Sequence, residues 1–230
     1  MSHFKLDMLK IKHSKRKSIG LYVTGQGVEV RAPIGTSKAY IQQFVLSKST
    51  WIEKQLESVQ NKTNEVYQLR NGQALPILGE LKTVEISLAP RSGVIEHQEK
   101  LCIHVTRMDQ KRIEKVFADY LLSKAKQIIP DLVSETSAQL ELSHRVKDIK
   151  FRRTKTKWGH CTHEGRLQFN WLIMMAPMKI VRSLVCHEVC HLKYLNHSEA
   201  FWKLVRTIDP DYLLSKHWLK VHGHKLSLFE

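Results

Sequence analysis

Apolar and polar positions alternate over the first third of the chain, a pattern that predicts half-buried strands. Residues 19–23 and 28–32 are aliphatic at every second position, and Gly25-Gln26-Gly27 between them predicts a turn. Apolar residues then recur at helical spacing from position 40 to 59, after the capping candidates Thr36-Ser37. The other predicted elements of this region are a polar loop at 60–72 and short strands at 75–78, 84–88 and 101–105.

The spacing of apolar residues becomes helical after Asp109 and predicts a long helix. We expect Pro130 to kink or restart this helix, which then runs to about Leu142. Further predicted elements are strands at 146–153 and 166–172 and helices at 178–195, 199–207 and 211–222, the second with Ser198 as N-cap. The pattern therefore predicts an α+β fold with two domains. A strand-rich domain with one helix covers 1–106, and a mainly helical domain covers 107–230.

Composition narrows the class of protein. Hydrophobic residues make up 42% of the 230 positions, which is too many for a disordered chain, and four cysteines are too few for a disulfide scaffold. The N-terminal residues contain no apolar signal segment, and the densest apolar run, 171–177, is far shorter than the roughly 20 residues of a membrane helix. We therefore expect a soluble, cytoplasmic chain with reduced thiols and no membrane association.

The net charge of +15 indicates an attraction to anionic partners. Residues 145–157 contain seven lysines and arginines and a single acid, Asp148. One interpretation is a solvated strand face. The other is a rim that holds phosphates or an acidic polymer, including weak binding of nucleic acid.

The strongest chemical signal is the pattern His187-Glu188-Val189-Cys190-His191, followed by His197. On a helix, His187 and His191 lie on the same face about 5–6 Å apart at Cβ, so both imidazoles can reach one ion. The chain contains 13 histidines, and the three-histidine pattern would arise by chance with a probability of roughly 0.003.

The same spacing predicts how the site works. A turn near Asn196 can bring His197 back to the ion, giving three protein ligands and one open position, as in catalytic zinc sites. Glu188 lies about 100° round the helix from His187. It borders the open position, where it is suited to act as a general base.

Cysteines near the motif suggest a rival interpretation, a structural zinc site of the form Cys-His-x-x-Cys-His. On a helix, Cys186 and Cys190 point away from the histidine pair, so the four side chains cannot converge on one ion. We expect both to be buried core residues, and Cys161 also.

The sequence resembles the YgjP-like metallopeptidase family, a relative of the SprT-like group within the zincins. The matching motifs are Trp158-Gly159-x-Cys161, Gly165, Asn170, His187-Glu188-x-Cys190-His191-Leu192, Asn196-His197-Ser198, Phe201-Trp202 and Pro210-x-Tyr212. The chain departs from the family at His160, where serine is usual. The resemblance implies a zincin-like catalytic region in which His187, His191 and His197 bind one zinc ion and Glu188 is catalytic.

Three substrate classes fit these observations. The leading hypothesis is a zinc-dependent metallopeptidase that attacks a peptide or protein with a zinc-activated water and Glu188 as base. The second is a hydrolase of nucleotide phosphoanhydrides, a nucleoside triphosphate pyrophosphatase, in which the basic segment 145–157 holds the phosphates. The third is a nucleic-acid-associated protease of SprT-like type.

Overall fold

A computed structural model of the chain describes residues 9–24, 27–64 and 66–228, and within these ranges it contains ten strands and six helices. The mixture of helices with separate small sheets confirms the α+β class. Two compact units follow one another, Met1–Val66 and Tyr67–Glu230. This division falls well before the predicted boundary at 106/107, because the strands of residues 74–105 pack with the long helix that follows them.

The N-terminal unit combines a small sheet with two helices. Its elements are β1 (Leu9–Ser14), β2 (Gly20–Thr24), β3 (Gly27–Pro33), α1 (Lys38–Leu46) and α2 (Ser49–Asn64). Strand β3 lies between β1, which is parallel to it, and β2, which is antiparallel. The alternation predicted at 28–32 buries Val28, Val30 and Ala32 against the two helices. The predicted turn at 25–27 falls largely on residues 25 and 26, outside the described ranges.

The single helix predicted for this unit is two helices. Ser37 caps α1 as predicted, its hydroxyl accepting from the Tyr40 amide. The helix ends at Leu46, where the Ser47 hydroxyl donates to the Phe44 carbonyl at 2.8 Å, a bond that competes with helix continuation. Helix α2 then runs to Asn64, into the region predicted as a loop.

The second unit begins with a sheet packed on a long helix. Its elements are β4 (Ala74–Ile77), β5 (Glu80–Leu88), β6 (Gly93–Glu96), β7 (Lys100–Val105) and α3 (Gln110–Gln139). The sheet order is β4-β5-β7-β6, with β5 and β7 parallel. Helix α3 continues through Pro130 as one element, and its buried face packs on the sheet and on α4.

The motif-bearing part of this unit has a second sheet and three helices. Its elements are β8 (Asp148–Phe151), β9 (Gly159–Cys161), β10 (Arg166–Phe169), α4 (Met178–Cys190), α5 (Glu199–Ile208) and α6 (Tyr212–His222). Strand β9 lies at the edge of the order β8-β10-β9. No helix in the described ranges combines the length and apolarity needed to cross a bilayer.

Helix α4 ends at Cys190 and not near residue 195 as predicted. The chain leaves the helix through a tighter turn, in which the Leu192 amide donates to the Val189 carbonyl and the Lys193 amide to the Cys190 carbonyl. Two side-chain contacts hold this turn. The Arg145 guanidinium donates to the Leu192 carbonyl at 2.9 Å, and His191 Nδ1 lies 2.8 Å from the Tyr194 carbonyl oxygen. The chain turns there, and this turn leads to His197.

Candidate metal centre

Three imidazoles converge at the end of α4. The Nε2 atom of His187 lies 3.2 Å from Nε2 of His191 and 3.0 Å from Nε2 of His197. One ring nitrogen from each residue lies within 4.8 Å of the others. The structure therefore brings together the three histidines that the sequence pattern singled out.

Local structure fixes each of the three rings. His187 is in the last turn of α4, and His191 is its C-cap residue, so the two rings project from successive turns. His197 directly precedes Ser198, which caps α5 by accepting from the Phe201 amide at 3.4 Å. The position of the third ring is thereby tied to the start of a helix, as the predicted N-cap implied.

The donor set fits a zinc ion. Ligands at the usual Zn–N distance in a tetrahedral site are about 3.3 Å apart, and the observed separations from His187 are 3.0 and 3.2 Å. A proton on His191 Nδ1, donated to the Tyr194 carbonyl, leaves the Nε2 lone pair directed at the cluster. The geometry therefore suits a cation better than a set of mutually hydrogen-bonded rings.

Glu188 lies beside this cluster in a confined position. It is 4% exposed. A Cβ atom added to Gly159 on strand β9 would lie 2.3 Å from Glu188 Oε1 and 2.6 Å from its Cδ. Glycine at position 159 is thus required for the carboxyl group to occupy its place against the strand.

Burial sets the ionisation of these groups. Burial, reinforced by the neighbouring imidazoles, lowers the pKa of His187 to about 3. It also lowers the pKa of His191, partly offset by the hydrogen bond to the Tyr194 carbonyl. Both rings are therefore neutral near pH 7, the form that binds metals. Burial raises the pKa of Glu188 to about 8, against the opposing effect of the Lys157 ammonium group.

Aromatic rings surround the imidazoles. Phe201 is fully buried, and its ring centroid lies 5.0 Å from His187, 4.4 Å from His191 and 5.0 Å from His197. Trp202 stacks on His197 at 5.3 Å and on Tyr212 at 5.0 Å. These contacts hold the rings in place and exclude water from one side of the cluster.

Comparison with known sequences decides the family. The family profile described as "YgjP-like, metallopeptidase domain" matches residues 17–222. The chain belongs to the YgjP-like metallopeptidase family. The resemblance expected from the motifs is confirmed, and with it a metal-dependent hydrolase.

Two solved structures of metallopeptidase zymogens are also similar to this YgjP-like chain. Abylysin of Pyrococcus abyssi is 18% identical with a TM-score of 0.38, and the match covers 45% of the chain and 100% of abylysin. Jannalysin of Methanocaldococcus jannaschii is 20% identical with a TM-score of 0.36, covering 41% of the chain and 94% of jannalysin. No curated protein sequence matches the chain. The comparisons give no support to nucleotide or nucleic-acid binding.

The cysteines of the YgjP-like chain lie where the core interpretation put them. Cys186 and Cys190 are buried in a small cluster with Phe201 and Val205, and Cys161 is 7% exposed. Burial raises the pKa of Cys161 to about 11, so its thiol stays protonated. Among the described residues, the cysteines lie outside the group of three histidines that could hold a metal ion.

The cations of the basic segment 145–157 make different contacts. All seven of its cations are exposed. Arg145 braces the turn after α4, and Lys150 pairs with Asp148 at 3.4 Å. Lys157 lies close enough to Glu188 to affect its pKa. The solvated-face interpretation therefore describes only part of this segment.

Some features of the site gave no signal in the sequence. A cavity of about 250 Å³ adjoins His187 and Glu188, and Ser215 and Lys216 of α6 contribute to its wall. Neither residue belongs to a motif. Trp202 and Tyr212 were recognised only as family matches, without a role. Gly159 was recognised in the same way, and its close approach to Glu188 depends on the packing of an edge strand against a helix.

Proposed function

We propose that the chain is a zinc-dependent peptidase in which His187, His191 and His197 hold a single ion and Glu188 is the general base. The observation that supports this most directly is the convergence of three Nε2 atoms beside a buried carboxyl group. A bound Zn²⁺ supplies a Lewis acid that polarises a carbonyl oxygen and lowers the pKa of a coordinated water. The nearby thiol of Cys161 is protonated and therefore poorly suited to act as a nucleophile.

Residues of the chain transfer the proton of the attacking water. Glu188 Oε1, held against Gly159, takes a proton from the attacking water and returns it to the nitrogen of the departing amine. With its pKa raised to about 8 by burial, Glu188 is mostly protonated near pH 7 when no metal is bound. The charge of a metal ion held by the three histidines, added to that of Lys157, would favour the ionised carboxylate that the first of these steps requires. Phe201 and Trp202 exclude water from the far side of the imidazoles, which strengthens electrostatic interactions in the site.

Activity and metal content measured on the same variants distinguish the general base from the metal ligands. Glu188→Gln should lower the hydrolysis of a fluorescence-quenched peptide mixture by about 10²- to 10⁴-fold while metal content stays at one ion per chain. His191→Ala should lose the metal. Glu164→Gln and His163→Ala make the same chemical changes at exposed positions and serve as matched controls. Turnover near the wild-type rate in Glu188→Gln would refute the assignment of the base.

A second candidate, hydrolysis of nucleoside triphosphates, is favoured by one observation. A second cavity of about 280 Å³ is lined by Arg153, Lys155 and Lys157 and shares Trp158 and Lys157 with the first. Clustered cations beside an indole ring suit a phosphate chain with a base. Release of pyrophosphate from a nucleotide panel by the wild type, lost in Glu188→Gln, would establish this activity. Its absence from the zinc-loaded protein would exclude it.

A further inference from the structure

The cavity beside His187 and Glu188 carries two cations in its wall. Lys157 comes from the segment before β9, and Lys216 comes from α6. Among the described residues that line the cavity, Glu188 is the only acid. With a divalent ion held by the histidines, positive charge at the cavity would exceed negative charge even when Glu188 is ionised. Such a surplus suits a site in which negative charge develops during the reaction.

An aromatic ring holds the Lys216 ammonium group near the three histidines. Its Nζ atom lies 4.7 Å from the Trp202 ring centroid, and the same ring stacks on His197 at 5.3 Å. Lys216 forms no ion pair among the described residues, and Asp211 at the start of α6 pairs with Lys179 instead. The long, flexible stem of lysine lets the ammonium group move from the ring to a charge in the cavity.

The two lysines lie near different parts of the site. Burial is the main cause of both pKa shifts at the site, but the charge of Lys157 opposes it at Glu188. The charge of Lys216 acts instead on His187, where it adds to burial and to the neighbouring imidazoles in lowering the pKa. The attacking water must lie beside the base, so the carbonyl oxygen that gains negative charge lies apart from it. A cation on the His187 side is therefore placed for the carbonyl oxygen.

Other donors in the wall are less suited to an anion. The Ser215 hydroxyl is buried within the wall and does not open to the cavity. Tyr212 offers a phenol group without positive charge, and its ring stacks on Trp202 at 5.0 Å. Hydrogen bonds from a charged donor are roughly twice as strong as those between neutral groups. The ammonium group of Lys216 is thus the stronger candidate.

We propose that Lys216 is a catalytic residue that stabilises the oxyanion formed from the carbonyl group of the scissile bond. This inference rests on the proposed peptidase function. As the water oxygen bonds to the carbonyl carbon, the π electron pair moves to the carbonyl oxygen, and Glu188 takes a proton from the water. The Lys216 ammonium group donates a hydrogen bond to the resulting anion. The electron pair returns as the carbon–nitrogen bond breaks, and the proton passes from Glu188 to the departing amine.

Steady-state kinetics of the zinc-loaded full chain test this role. Lys216→Met keeps a stem of similar length and removes the charge. We expect kcat for a quenched peptide to fall about 10²-fold, with KM and metal content unchanged. Lys216→Arg keeps the charge and should recover most of this loss. Lys220→Met, one turn further along α6 and outside the cavity wall, is the matched control.

Binding of a transition-state mimic gives a readout without turnover. A peptide analogue with a phosphonamidate in place of the scissile amide carries negative charge on a tetrahedral centre. Its binding is followed by tryptophan fluorescence, since Trp158 and Trp202 line the cavity. Lys216→Met should bind it about 10²-fold more weakly than wild type, and Lys220→Met as tightly as wild type. Equal affinities of Lys216→Met and wild type would overturn the proposal.

The kinetic constants distinguish this role from its alternatives. A higher KM with unchanged kcat in Lys216→Met would mean that Lys216 binds an anionic part of the substrate before reaction, and would overturn the oxyanion role. A loss of kcat in Tyr212→Phe but not in Lys216→Met would also overturn it and assign the role to Tyr212. If the wild type cleaves no peptide but its phosphonamidate binding depends on Lys216, the peptidase is refuted and the anion-stabilising role of Lys216 is supported.

Discussion

Gly159→Ala tests how finely Glu188 must be positioned. The added Cβ atom would lie 2.3 Å from Oε1 and 2.6 Å from Cδ of Glu188, well inside van der Waals contact. Because Glu188 is only 4% exposed, its side chain must shift by about 1 Å within a packed site. A displacement of this size at a reacting group costs about 10²-fold in rate. We therefore expect kcat to fall about 100-fold while metal content stays at the wild-type level, with overpacking lowering the melting temperature by a few degrees.

The assay is hydrolysis of a quenched peptide by zinc-loaded protein, with metal content and thermal unfolding measured on the same samples. Gly93→Ala is the matched control, because a Cβ atom at that strand position meets nothing within 4 Å. We expect Gly93→Ala to match wild type in all three measurements. Wild-type kcat in Gly159→Ala would refute the reasoning, since the carboxyl group would then tolerate displacement. A fall in Gly93→Ala of the same size would point to a general effect of replacing a strand glycine and not to Glu188.

Three further predictions concern stability and metal affinity. Lys82→Ala should lower the free energy of unfolding by about 2 kcal/mol in urea titrations, because the 3%-exposed lysine donates to the His97 and Gln98 carbonyls and pairs with Glu96. An unchanged midpoint would contradict this. Although burial alone would raise it, bonds from Lys124 and Tyr120 hold the pKa of Glu96 below its ordinary value of 4.5. This stabilisation is therefore complete above the unfolded-state pKa and lost as pH falls through the folded-state pKa, and Glu96→Gln should flatten the acid limb of the unfolding profile. Ser198→Ala removes the α5 cap, which should cost about 1 kcal/mol of stability and weaken zinc binding about tenfold in chelator competition.

The candidate site could be predicted from sequence because its ligands lie close together along the chain. The spacing of His187 and His191 implies a shared helix face, and the two lie in the last turn and at the C-cap of α4, although the predicted helix continued to 195. Ser198 was recognised as a cap from residue type alone, and its hydroxyl accepts the expected bond. Patterns of this kind depend on short-range geometry, which residue spacing encodes directly.

The elements and boundaries that the sequence patterns did not predict depend on packing between residues far apart in the chain. Strand β6 is short, with Val94 half-buried and Ile95 exposed, so its alternation is weak. The turn that follows the early end of helix α4 is held by Arg145, far away in sequence, which binds the Leu192 carbonyl. The observed boundary between the units differs from the predicted one because of long-range packing as well. The sequence pattern groups β4–β7 with the N-terminal strands, but their apolar faces are covered by α3.

The three imidazoles all come from one short stretch of chain, residues 187–197. Closing so small a loop around an ion costs little chain entropy, so metal binding depends mainly on this stretch and on the few contacts that brace it, such as the Arg145 bond to Leu192. Removal of the ion should therefore loosen only this stretch, because the sheets and α3 are held by their own packing. Treatment with a chelator should therefore raise amide hydrogen exchange in residues 191–197 and leave exchange in α3 unchanged. Metal occupancy and global folding would then be separately adjustable properties of the chain.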